Sequence, residues 1–129
     1  MSNREQLLTL LKKYQQLINH PSKELFDEIF AQNPHCTEIA ITDCFENRET
    51  IYNDFILGRL QGKFSRIELI ADDIIIHEIS DELAIIIFKY HTDCNLRETG
   101  DLFGIAGLET QVIIKENNMW RILHVHYSK

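Results

Sequence analysis

Residues 109–128 read ETQVIIKENNMWRILHVHYS, and this stretch decides the fold class. Two apolar runs, around Val112–Ile114 and Ile122–Val125, flank Glu116, Asn117 and Asn118. Asparagine tolerates the backbone angles of a tight reversal, so the chain turns back here between two strands, 105–115 and 119–128. Working outward, the same period-2 patterning covers 83–94 and 66–79, joined through Ser80, Asp81 and Glu82. Asn95 to Gly104 forms the longer connector. Four successive strands with short links make an antiparallel meander. Strands 83–94 and 105–115 are apolar on both faces around Ile85–Phe88 and Val112–Ile114, so the sheet needs a cover on each side.

Upstream the period changes to 3.6. Leu7, Leu10, Leu11, Tyr14, Leu17 and Ile18 form one apolar stripe of a first helix that Ser2 or Asn3 can cap. A second helix starts at Pro21 or Ser22, carries Leu25, Phe26, Ile29 and Phe30 inward, and is expected to end at Asn33-Pro34, because the residue before a proline is pushed out of the α region. Thr37 to Thr42 reads as a short strand, and Glu49 to Leu60 returns to helical spacing. The expectation is an α+β fold in one domain, 1–129, with three helices segregated to one face of a mainly antiparallel sheet.

Composition narrows function by exclusion. Thirteen Lys and Arg against twenty Asp and Glu leave a net charge of −7, which argues against nucleic acid and against an anionic membrane surface as partners. Cys36, Cys44 and Cys94 are an odd set without CxxC spacing, as expected of reduced thiols. The amphipathic N-terminus lacks the apolar core of a signal peptide. The expected location is cytoplasmic.

The string Glu109-Thr110-Gln111-Val112, Trp120, His124-Val125-His126-Tyr127-Ser128 resembles the nuclear transport factor 2-like superfamily, and within it the SnoaL-like group and the association (hub) domain of calcium/calmodulin-dependent protein kinase II. KKYQQLIN and ETIYNDF add weaker matches. The resemblance implies a cystatin-like cone with a cavity at its wide mouth, and a homodimer formed through the outer sheet face, with a higher ring as the hub-type variant. Members include ketosteroid isomerases, polyketide cyclases and dehydratases beside binding and assembly modules, so function stays open. Tyr14 stands where the isomerases place an oxyanion donor. Ala40 stands at the expected place of their base, and near Thr110, where their second oxyanion acid lies, no acid is expected in the right register. The hub's cationic pocket positions fall on Tyr52, Tyr90, Gln111 and Tyr127, none of them cationic.

A ligand cavity is therefore expected from Tyr14, Tyr52, Phe55, Tyr90, Gln111, Trp120 and Tyr127, neutral and aromatic-lined, taking a neutral small molecule. The alternative is that these rings only fill the core. The dimer face is expected to use Ile85, Ile87, Thr110, Val112, Ile122, His124 and His126. No metal and no cofactor are expected: His124 and His126 lack a convergent third ligand, and no cysteine sits in a nucleophile context. Three functions compete: a small-molecule-binding protein, first; an enzyme of the isomerase, cyclase or dehydratase kind, with Tyr14 as donor and Asp43 or a histidine as base; and a hub-type oligomerisation module.

Overall fold

The computed structural model describes residues 1–129. Helix α1, Asn3–Asn19, begins where the Ser2 side chain accepts from the Glu5 amide, satisfying one of the amides a helix start leaves unpaired. Helix α2, Lys23–Ile29, is capped in the same way by Ser22. It stops earlier than Asn33-Pro34: Phe30 is already extended and bridges to Ile122. The Ala31 amide donates to the Ile122 carbonyl, so pairing to the sheet, rather than the proline, ends this helix.

The expected strand 37–42 is a hairpin, β1 Thr37–Ala40 and β2 Asp43–Phe45, reversed at Ile41, which takes a φ of 61°. Helix α3 runs over 48–63; its centre, Ile51–Leu60, is π-helical. The remaining strands are β3 Phe64–Ser80, β4 Leu83–Leu96, β5 Leu102–Phe103, β6 Ala106–Glu116 and β7 Met119–Tyr127.

The sheet order is β2-β1-β7-β6-β4-β3, with β5 on β4. All pairs are antiparallel except β1 with β7. The sheet is strongly curled, and the register shift between Asp72 and Ile75 is the kind of bulge that bends a strand. The three helices pack on its concave face, giving the α+β cone. Ile86, Phe88, Ile113, Ile122 and Val125 form the sheet's side of the core, and Leu7, Leu11, Phe26, Phe30, Ile51 and Ile56 the helical side.

A second register shift lies in β7: Val112 pairs with His124 and Ile113 with Ile122, leaving Leu123 as the extra residue. Strict alternation puts Ile122 on the outer face with His124. The bulge flips that parity, and Ile122 is fully buried inside. The other six residues of the expected dimer face remain outside, in two cross-strand rows: Ile85-Val112-His124 and Ile87-Thr110-His126.

Candidate functional site

Between the helices and the concave sheet lies a cavity of about 240 Å3, lined mainly by apolar side chains. Its position follows from the elements around it. Tyr14 enters from the apolar stripe of α1, Phe55 from the π-helical part of α3, and Tyr90 and Tyr127 from the inner faces of β4 and β7. The ring of Tyr127 lies 6.1 Å from Phe55 and 5.6 Å from Tyr90.

Three other residues expected in the cavity sit elsewhere. Tyr52 turns toward α2, its ring 5.1 Å from Phe26, since the wider π-helical turn separates it from Phe55. Trp120 lies further along β7, its indole N–H 3.4 Å from the Asn3 side chain. Gln111 is fully buried behind the cavity wall, where it does structural work described next.

The residues that sequence reasoning missed are two glutamates. Glu109 on β6 is 2% exposed and lines the cavity; Glu38 on β1 is 0% exposed. The Gln111 side-chain amide donates to Glu109 Oε2 at 2.8 Å, and Tyr14 Oη donates weakly to Glu38 Oε2 at 3.4 Å. Glu38 Oε1 and Gln111 Oε1 have no partner. No cation pairs with either carboxyl. Burial pushes Glu109 up to about 8, against the pull of its bond from Gln111. Burial, then the neighbouring Glu109, holds Glu38 well above the usual carboxylate range, against the bond from Tyr14. Burial also raises the phenols: Tyr90 to about 12, Tyr14 and Tyr127 in the same direction. The site therefore holds Glu109, poised to lose its proton near neutral pH, beside a second buried carboxyl, Glu38, and the phenols of Tyr14 and Tyr127, while the Tyr90 hydroxyl is taken up by the Ser128 carbonyl at 2.6 Å.

The signal for Glu109 was available. Side chains two apart on a strand share a face, so the alternation that turns Gln111 inward does the same for Glu109. Glu38 shares the inner face with Ala40 by the same rule. The expectation of a neutral cavity is overturned, because the ionisable Glu109 and the cations Arg59, Lys63 and Lys129 also line it. Asp43, the candidate base, is exposed at the rim and paired with Arg59 at 2.7 Å. His124 bonds the Thr37 side chain on the outer face. No group of three or more His, Cys, Asp or Glu comes together as a metal site.

No protein-family model and no curated protein sequence matches the chain. Solved structures do. A nuclear transport factor 2-like superfamily protein from Salmonella enterica serovar Typhimurium superposes with a TM-score of 0.91 at 26% identity, over 97% of this chain and 89% of that one. A putative scytalone dehydratase from Novosphingobium aromaticivorans gives 0.82 at 12% identity, over 96% and 81%. A putative calcium/calmodulin-dependent protein kinase II association domain from Xanthomonas campestris gives 0.81 at 15% identity, over 99% and 88%. The fold is thus the nuclear transport factor 2-like α+β cone.

Proposed function

We propose that the cavity binds a small organic molecule and moves a proton on it, with Glu109 as the general base. The observation that carries this reading is the pair of buried, uncompensated carboxyls beside the cavity. Burying an ionisable group without a counter-charge costs several kcal/mol, and such groups concentrate where their altered proton affinity is used. A carboxyl pushed up to about 8 is a stronger base than an ordinary glutamate and still partly ionised at neutral pH. The developing negative charge on a substrate oxygen is met by a phenol donor, Tyr14, whose hydroxyl reaches Glu38 only weakly, at 3.4 Å, and is free to turn to the substrate. This is the chemistry of an isomerase or a dehydratase, and the likeness to a putative scytalone dehydratase accords with it.

The test needs no known substrate. The protein is incubated in deuterium oxide with a panel of aromatic ketones and keto acids, and deuterium uptake α to the carbonyl is followed by mass spectrometry. Uptake catalysed by the wild type, rising with pH toward about 8 and lost in Glu109→Gln, is the expected result. A panel on which Glu109→Gln matches the wild type removes Glu109 from the role and leaves binding alone.

The protein is further proposed to act as a cytoplasmic homodimer through its outer sheet face. The two rows Ile85-Val112-His124 and Ile87-Thr110-His126 continue onto Ile75 and His77 of β3, and Ile75 is 49% exposed. Ile75, Ile85, Ile87 and Val112 make an apolar patch flanked by His77, Thr110, His124 and His126, and a patch of this kind on a sheet face favours a protein partner. Light scattering returning the monomer mass at micromolar concentration refutes this part.

A further inference from the structure

Three cations, Arg59, Lys63 and Lys129, stand at the exposed rim of the cavity while Glu109 and Tyr14 lie at its buried end. We infer that the ligand is an amphipathic organic acid whose anionic head is held at the rim by Arg59 and Lys63, with its neutral body against Phe55 and Tyr127. This rests on the small-molecule site proposed above and specifies the class of molecule it takes.

The charge distribution makes the first argument. The chain carries seven more acids than bases, yet the cavity lining holds three bases and one acid. That one acid is held largely neutral by burial, and although Asp43 pairs with Arg59, Lys63 and Lys129 stay uncompensated, so the cavity mouth is a cationic spot on an anionic protein. A focused field of that kind raises the local concentration of oppositely charged ligands.

Placement makes the second argument. Arg59 and Lys63 are four apart on α3, neighbours on one helix face. The Arg59 guanidinium is anchored over the Phe45 ring at 5.2 Å and holds the Asp43 carboxylate at 2.7 Å. Asp43 is the one carboxylate within salt-bridge distance of it, and the pair is about half exposed, so a guanidinium with five N–H donors can take a second carboxylate beside the first. Its field reaches into the cavity, where it opposes the rise of the Tyr127 phenol. Lys63 lies over the Phe103 ring at 4.6 Å and no carboxylate comes within salt-bridge distance of it or of Lys129. The rim thus has positive charge to spare, and the apolar walls between rim and floor fit an uncharged body.

The test compares 3-phenylpropionate with 3-phenylpropanamide, which share a body and differ in the charge of the head. Titration calorimetry on the wild type should show the acid binding about tenfold to a hundredfold tighter, the range a charge-assisted hydrogen bond supplies. Added salt should weaken the acid and spare the amide. The double variant Arg59→Gln, Lys63→Gln should bring the two affinities together. Equal affinities in the wild type overturn the anion anchor and leave the cavity's proton chemistry standing. An acid preference that survives the double variant, or no binding of either compound, overturns the inference as well.

Discussion

Replacing Glu109 by Gln should change the stability of the protein in a way that depends on pH, and the size follows from the structure. Gln keeps the volume of the buried side chain and an oxygen to accept the Gln111 amide, which stands 2.8 Å from Glu109 Oε2. In the folded protein Glu109 loses its proton near 8, while the unfolded chain loses it near the ordinary 4.5. Below 4.5 both states hold the proton and the glutamate costs nothing relative to glutamine. Between the two values the unfolded state binds fewer protons than the folded one, so stability falls as pH rises. From 4.5 to 7 is two and a half pH units, each worth about 1.36 kcal/mol, so the wild type should give up about 3 kcal/mol by pH 7. The loss levels off above about 8. The variant lacks this loss. Urea unfolding at pH 4.5, 7 and 8.5 should therefore show wild type and Glu109→Gln equal at the lowest pH and the variant increasingly the more stable above it. A difference that does not change with pH would mean that Glu109 is not held protonated by burial, and the reasoning from its environment would fail with it.

The remaining predictions concern other parts of the structure. A Cβ on Gly107 would lie 2.1 Å from the Ser128 carbonyl oxygen, so Gly107→Ala should destabilise by about 1–3 kcal/mol; an unchanged thermal midpoint contradicts that packing. The Tyr90 hydroxyl donates to the Ser128 carbonyl at 2.6 Å, and Tyr90→Phe should cost about 1 kcal/mol and speed amide exchange at Ser128, whose own N–H bonds Leu108. Of the three thiols, exposed Cys44 should react quickly with a disulfide reagent at pH 8, whereas buried Cys36, pushed up to about 11, and buried Cys94, also raised, should stay unreactive until the protein unfolds; fast labelling of more than one equivalent in the native state counts against this burial. Val112→Lys puts a charge in the middle of the outer-face ladder and should convert a dimer to monomers in sedimentation, without loss of secondary structure.

Much of the fold was legible because the chain obeys local rules along most of its length. The period changes from 3.6 to 2 close to where α3 gives way to β3, and Ser2 and Ser22 stand where helices start. What was not legible depended on register. A bulge at Leu123 leaves no mark in composition, yet it reverses which face Ile122 presents. The π-helical winding of α3 likewise parts Tyr52 from Phe55 without a residue pattern that announces it. The cationic rim was invisible for another reason: Arg59, Lys63 and Lys129 come from α3 and the residues after β7, far apart in sequence. Glu38 and Glu109 are a different case. Their alternation was readable, but charged residues are almost never fully buried unless paired, so the ordinary prior places them in solvent.

That prior is also why the two glutamates point to function. A core built only for stability would fill their positions with apolar side chains, as it does at their cross-strand partners, Phe88 beside Glu109 and Val125 beside Glu38. Here the unfavourable choices fall together along one wall. Glu38 and Ala40 pair with Val125 and Tyr127 across β1 and β7, and Tyr127 pairs in turn with Glu109 on β6. At the end of β1 stands Ile41, a β-branched residue at a φ of 61°, a conformation that costs of order 1–3 kcal/mol; it lines the same cavity and its amide bonds the Tyr127 carbonyl. Two unpaired acids and one strained residue on adjoining strands all weaken the fold at the same place. Scattered, each could be absorbed as an irregularity of packing. Concentrated around a cavity with phenols at one end and cations at the other, they support the proposed proton transfer on a bound organic acid better than they support a core built for stability alone.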